Sequence, residues 1–498
     1  MTTTPMRYIS TRSALAPVLF SEALLRGLAP DGGLYVPVAL PKIDLVHPQW
    51  LHWTYQEQCY HILKPFMPEI DGIKLMDAIS SAYDCKFDHP KIAPLVKLED
   101  NTYVLELFRG RTQAFKDMAL SLLPHLMRLS AAVTETEHLN RIVLTATSGD
   151  TGKAALEAFA DIPGVEVVVF YPTDGVSAMQ KQQMATQRGE NVHVYAIEGN
   201  FDDAQRAVKD LMSDGLLAEE MIQNGQRFAS ANSVNIGRLL PQVVYYVSAY
   251  YDLVASGAIE LGEPINIVVP TGNFGNLLAA YYAKEMGLPL GQLILAANQN
   301  AVLHDFVTTG IYNANRPFYV TQAPSMDILV SSNLERLLFM ESSGDWAAVK
   351  EAMDALKSKG AFTWPIKEGL LFSGVASDSQ SKSAIEHHYK TTGYILDPHT
   401  AVGVSVLDAY RLTTGDAKLT IVAGTASPFK FPSAVLEALN TLALSSEAES
   451  LAHIATLWGQ PVPAALQEAL ELPIKHSAVL RRDEMKSEVV SIMRGQKS

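Results

Sequence analysis

Cysteine is nearly missing from this sequence: among 498 residues only Cys59 and Cys85 occur. Two cysteines make no disulfide framework and have no metal-ligand spacing, which points to a reducing compartment and to no metal site. Positive charge is scarce as well. Against 53 aspartates and glutamates stand 39 lysines and arginines, for a formal net charge of -14. The basic residues are dispersed, so a sequence-independent grip on nucleic-acid phosphates is excluded and any anionic ligand must be met by local groups. No stretch reaches the roughly 18 apolar residues that a membrane span needs. Residues 1–10 hold no basic segment followed by an apolar run, so the expected location is cytoplasmic. Biased sequence is confined to a Ser, Ala and Glu mixture near 444–453, expected to be a solvated connection to C-terminal helices.

What remains is an ordinary globular composition in a chain too long for one core. Residues 1–95 mix short helical patterns with a turn-rich stretch from Gly27 to Pro37, and read as an N-terminal cap domain. From Arg141 onward the pattern changes. Short β-branched runs at 142–147, 165–172 and 192–199 alternate with apolar spacing typical of helices, and a second series follows at 265–270, 292–298 and 418–424. Strands recurring with helices between them imply right-handed βαβ units and parallel sheets. The expected fold class is therefore α/β, with two open twisted sheet domains plus the cap. Residues 96–140 and 225–440 form the larger unit, 141–224 the smaller, and 441–498 a C-terminal helical extension.

In such sheets ligands gather beyond the carboxyl ends of the strands. After the 265–270 run come Thr271, Gly272, Asn273, Phe274, Gly275 and Asn276, and then a helical pattern. Glycines let the backbone approach an oxyanion, and the free N–H groups of a helix start hold negative charge. This is a phosphate cradle without a lysine, or else a tight strand-to-helix turn. A second loop, Thr147-Ser148-Gly149-Asp150-Thr151-Gly152, offers hydroxyls and N–H groups suited to a carboxylate or phosphate, although Ser148 and Asp150 are also good helix caps. An ATP-binding reading of Gly152-Lys153 fails, because Thr147 and Ala154 stand where that motif needs glycine and Ser or Thr. Lys116 opens an apolar helical pattern running to Leu129. Such a lysine ordinarily snorkels to the surface; desolvated among apolar neighbours, it loses its proton more readily, as a Schiff-base amine must.

Taken in order, Tyr8-Ile9-Ser10-Thr11-Arg12, the stretch Gly27 to Pro37, Glu106-Leu107-Phe108, Thr112 to Asp117, Thr145 to Gly152, Ser230 to Asn235, Gly272 to Asn276, Ser325 to Ile328, Ser332 to Arg336 and Gly424-Thr425-Ala426 resemble the threonine synthase family, in the branch with a long N-terminal domain. The resemblance implies the tryptophan-synthase-β-like fold of pyridoxal 5'-phosphate enzymes (fold type II), with Lys116 carrying the Schiff base. It implies that Gly272, Asn273, Phe274, Gly275 and Asn276 hold the cofactor phosphate and that Thr425 faces the pyridine nitrogen. Ser148, Gly149, Asp150 and Thr151 would take the substrate carboxylate, and Asn232, Ser233 and Arg238 the substrate phosphate. Arg238 has a physical claim of its own, since its planar fork matches phosphate oxygens.

The implied reaction turns O-phospho-L-homoserine and water into L-threonine and phosphate: Lys116 moves protons at the α- and β-carbons, phosphate leaves the γ-carbon, and water adds at the β-carbon. Three competing readings share the fold: a β-eliminating hydro-lyase on serine or threonine, a lyase on another phosphorylated substrate, and a binding protein without turnover. A hydro-lyase needs no second phosphate pocket, so Asn232, Ser233 and Arg238 discriminate. The family pattern often carries His and Pro where this chain has Arg109 and Arg111, which would alter the anion site if these side chains enter the cleft. Monomer and homodimer are both left open.

Overall fold

The computed structural model describes residues 6–173, 176–199, 201–212, 214–441 and 444–495. The alternating runs form two sheets. The smaller has the order Val479–Leu480, Val192–Ile197, Val165–Pro172, Asn140–Ala146, Gln226–Ser230, with every neighbouring pair parallel. Helices cover both faces, which is why its central strands are almost continuously apolar. The larger sheet has the order Phe372–Val375, Leu290–Ala297, Ile265–Pro270, Thr420–Gly424, Thr102–Glu106, Leu95–Glu99. Its last strand runs antiparallel, a departure from the parallel expectation. Only Asp100 and Asn101 separate that strand from its neighbour, and so short a connection permits nothing but a hairpin.

Two expectations about the C-terminal residues are corrected. Strand Val479–Leu480 lies in the segment read as purely helical, and the helix Met485–Met493 after it buries Met485, Val489 and Ile492 against the small sheet. A two-residue strand has no period to detect. The Ser, Ala and Glu mixture is largely exposed as expected, but from Glu447 it is helix rather than connection. Ser446 caps the helix Glu447–Trp458 by accepting the Glu449 N–H at 3.2 Å, and Leu451 and Ile454 on that helix are buried.

Near the N-terminus, Tyr8–Ser10 pairs antiparallel with Tyr35–Pro37 across the turn-rich stretch. Tyr8, Phe20, Leu24 and Ile62 merge into one core with the helix Ile236–Ala255 and residues of both sheets. That helix buries nearly all of its residues, as an apolar sequence all round requires. The apolar pattern beginning at Lys116 is two helices, Asp117–Leu120 and Leu123–Val133. Pro124 sits in the first turn of the second, where its missing N–H costs no bond. Among the described residues no helix is long and apolar enough to cross a membrane.

Candidate active site

The loops singled out in the sequence follow the carboxyl ends of strands Thr102–Glu106, Asn140–Ala146, Gln226–Ser230, Ile265–Pro270 and Thr420–Gly424. The segment before Lys116 is stitched to the segment after Thr420–Gly424. Phe115 N–H donates to Thr425 O at 2.9 Å, Ser427 N–H to Gln113 O at 3.1 Å, and Lys430 Nζ to Thr112 O at 2.9 Å. Gln113 is held at φ 59°, a left-handed conformation that a non-glycine residue keeps only when its surroundings enforce it. These contacts fix Lys116 at the head of its short helix and beside Thr425.

The Lys116 side chain is 11% exposed, with Nζ 3.6 Å from Asp150 Oδ2 and 4.6 Å from the centre of the Phe115 ring. Burial lowers its pKa, the Asp150 charge opposes this, and the Lys430 and Arg238 charges add to the lowering. Asp150 has a second and closer cation, Lys430 Nζ, at 2.5 Å from Oδ1, and Lys430 is fully buried. Gln180 Nε2 donates to Asp150 at 2.8 Å and Ser325 Oγ at 3.1 Å. Although burial alone would raise it, Lys430 and Lys116 hold the Asp150 carboxyl well below the usual range. Neither Lys430 nor Gln180 was flagged by the sequence reading. Lys430 carries a recognisable signal, a cation within Pro428-Phe429-Lys430-Phe431-Pro432 just beyond a strand end.

The sequence profile for the threonine synthase N terminus matches residues 7–83, that for pyridoxal-phosphate dependent enzymes residues 87–424, and that for the threonine synthase C-terminal region residues 400–489. The threonine synthase of Pseudomonas aeruginosa is 40% identical over 443 residues, which cover 87% of this chain and 90% of that protein. The chain belongs to the threonine synthase family. Threonine synthase-like 1 of Pongo abelii is 38% identical over 95% of this chain, which spans 65% of that protein. The crystal structure of pyridoxal-phosphate-bound threonine synthase from Brucella melitensis superposes with a TM-score of 0.84 at 36% identity, covering 99% of each chain. The fold expectation is borne out, and pyridoxal 5'-phosphate is the cofactor of this enzyme family.

The residues present fit that group. Gly272 is tight for an internal reason, since an added Cβ would lie 2.7 Å from Ser325 O. At Gly275 the Cβ position is open, flanked only by the amide nitrogens Asn333 Nδ2 at 3.6 Å and Gln242 Nε2 at 3.7 Å. That is a space bordered by donors at the first turn of the helix Gly275–Met286, as an anion requires. Phe274 reaches it through φ 64°. Asn276 is the exception in the turn. Its Oδ1 accepts from the Tyr245 hydroxyl at 2.9 Å and from Tyr246, so this oxygen anchors the turn to the helix Ile236–Ala255.

The remaining assigned residues divide. Arg238 sits in the first turn of the helix Ile236–Ala255, is 3% exposed, donates to Ala231 O, and leaves its buried Nε without a partner. Asn232 Oδ1 is likewise buried and unpartnered. Ser233 Oγ lies 3.2 Å from Ser332 Oγ, which reaches Asn273 Oδ1 at 3.2 Å, so this group adjoins the glycine turn. In the Ser148 to Thr151 loop, Thr147 Oγ1 accepts the N–H groups of Gly149 at 2.9 Å and Gly152 at 2.8 Å. Gly149, at φ 134°, has the Gln180 amide 2.5 Å from where a Cβ would stand. Arg109 is held by Glu106 and Asp88, and Arg111 by Glu157 and Glu468.

Proposed function

We propose that the protein is an active threonine synthase, converting O-phospho-L-homoserine and water into L-threonine and phosphate. When bound, pyridoxal 5'-phosphate supplies an electron sink for the charge left on substrate carbon as protons are removed. Gly272, Asn273, Phe274, Gly275 and Asn276 would hold its phosphate, Thr425 would face its ring nitrogen, and Lys116 would anchor it covalently.

Lys116 Nζ is the proton-moving group. Its lowered proton affinity keeps a neutral amine within reach, and Asp150 at 3.6 Å steadies the protonated form between removal and return of a proton. Ser148, Gly149 and Thr151 would receive the substrate carboxylate. Asp150, read from the sequence with them, has an acceptor-only side chain turned to the two lysines, so only its backbone suits that task. Arg238, with Asn232 and Ser233, would bind the departing phosphate.

The observation that carries this reading is Arg238. A buried guanidinium with an unpaired Nε is costly unless an anion arrives to meet it. Lys116, Lys430 and Arg238 together outnumber the nearby Asp150 and Asp117, leaving positive charge in a protein whose net charge is negative. A hydro-lyase, which brings only the cofactor phosphate and a substrate carboxylate, has no second phosphate for Arg238 to meet. The same reading sets the enzyme in the cytoplasm. It divides the chain near residues 95, 140 and 440; the boundary read at 224 shifts, because Gln226–Ser230 pairs with Asn140–Ala146 in the small sheet, which Val479–Leu480 completes.

Incubation with O-phospho-L-homoserine should release phosphate and L-threonine in equal amounts. Deamination of threonine without turnover of the phosphorylated substrate overturns the proposal in favour of the hydro-lyase. Borohydride reduction followed by peptide mapping should place one pyridoxyl group on Lys116; a label on Lys430, Lys153 or Lys284 overturns the anchor.

A further inference from the structure

Helix Asp378–Thr392 packs beside the antiparallel edge strand of the large sheet, and three ligand-type side chains meet there: Glu99, His387 and His388. Adjacent residues on a helix point about 100° apart and usually diverge. Here the two imidazoles stand 5.1 Å apart, centre to centre, at 80°. Glu99 Oε1 is 3.4 Å from His388 Nδ1 and 3.8 Å from His387 Nε2, and the three donor atoms all lie within 4.8 Å of one another.

We propose that Glu99, His387 and His388 bind one divalent transition-metal ion of the zinc class, tying that helix to the edge strand. His388 carries the argument. It is only 3% exposed, yet its Nδ1 is buried with no hydrogen-bond partner, because the 3.4 Å approach to Glu99 lacks hydrogen-bond geometry. A buried ring nitrogen aimed at a carboxylate but not bonded to it is suited to share a cation with it. Two ligands bound at zinc distances in a tetrahedral arrangement stand about 3.3 Å apart, close to what Glu99 and His388 already show. Two imidazoles and a carboxylate suit zinc, cobalt or nickel; magnesium and calcium prefer all-oxygen sets.

The surrounding charges are mixed. Asp408, whose charge acts on both Glu99 and His387, adds attraction for a cation. Arg411 is an opposing charge: its two Nη groups donate to Thr102 Oγ1 at 2.7 Å and Asn101 O at 2.8 Å, while its buried Nε has no partner. Burial lowers the pKa of His388, which favours the neutral ring that a metal requires. A surface hollow lined by Glu99, Asn101, Thr392 and Arg411 meets the cluster at Glu99, and the His387 side chain is exposed. Cys59 and Cys85 take no part in the cluster.

The test is titration of the chelator-treated, untagged holoenzyme with cobalt(II), read by visible absorbance and competed with zinc(II) and magnesium(II). One cobalt should bind, zinc should displace it, and magnesium should not. His387→Ala and Glu99→Gln, both at exposed side chains, should each weaken binding by about tenfold or more while leaving phosphate release unchanged. Failure of the parent protein to bind cobalt overturns the proposal, as does parent-like affinity in either variant.

Discussion

Lys430→Met tests the electrostatic reading of the cleft most directly, because it removes one charge while keeping most of an apolar stem. In the parent protein Lys430 Nζ lies 2.5 Å from Asp150 Oδ1, and Lys116 Nζ lies 3.6 Å from Oδ2 of the same carboxylate. Removing one member of a buried ion pair leaves the other uncompensated and costs about 3–5 kcal/mol. Lys116, Gln180 and Ser325 remain as partners for Asp150, which favours the lower end of that range. The catalytic consequence has a definite sign. Bound to opposite oxygens of one carboxylate, the two ammonium groups are within roughly 8 Å, where a unit charge at an effective dielectric of about 20 is worth about 2 kcal/mol. Without Lys430 the protonated form of Lys116 is disfavoured less, its proton affinity rises, and the neutral amine persists only at higher pH. The acid limb of kcat against pH should therefore move upward in Lys430→Met, measured by phosphate release at saturating substrate, together with a lower urea midpoint. Asp150→Asn combined with Lys430→Met should regain part of the lost stability, since no lone charge is then buried. An acid limb that stays in place or moves down refutes the coupling of the two lysines through Asp150.

Lys430 also shows where sequence reading stops. The strands that read clearly were buried runs such as Val165–Pro172, whose β-branched residues set them apart from the helices around them. The loops after them followed from topology, since parallel strands aim their carboxyl ends at one crevice. Lys116 emerged from a resemblance in ordered motifs, not from its local pattern, which suits a surface lysine equally well. The partnership of Lys430 with Asp150 joins residues 280 positions apart and leaves no periodic trace. Its flanking prolines and phenylalanines nevertheless mark a buried cation by the same logic applied to Lys116. The role of Asp150 was legible only as membership of an anion-binding loop. That its carboxylate faces two lysines depends on the approach of Gln180 and Ser325 from other elements. Edge features were the hardest: Val479–Leu480 is too short for an alternation, and the antiparallel Leu95–Glu99 is half exposed and mixed in character.

Asp117 gives a pH test, because burial raises its pKa to about 6 from the ordinary 3.8 despite donors from Thr112. The native state then holds a proton that the unfolded chain releases between those values, so this group's contribution to stability falls as pH rises from about 4 to 6, by an amount on the order of 3 kcal/mol. Urea denaturation of Asp117→Asn should show a more favourable slope over that window than the parent, and identical slopes would remove the claim. Arg238→Ala should lower kcat/KM for O-phospho-L-homoserine by about 2–5 kcal/mol, with Arg238→Lys recovering only part and the cofactor absorbance unchanged; parent-like turnover makes the residue structural. Gly275→Val separates the cradle from the fold. The Cβ position at Gly275 meets only the two amide nitrogens at 3.6 and 3.7 Å, whereas at Gly272 it would meet a backbone oxygen at 2.7 Å. The substitution at Gly275 should therefore leave a folded protein that has lost cofactor affinity, because its methyls occupy the space the phosphate oxygens need. Gly272→Ala should instead lower the melting temperature of the cofactor-free protein, since Ser325 would have to move. Normal cofactor content in a folded Gly275→Val variant would show that the phosphate lies elsewhere.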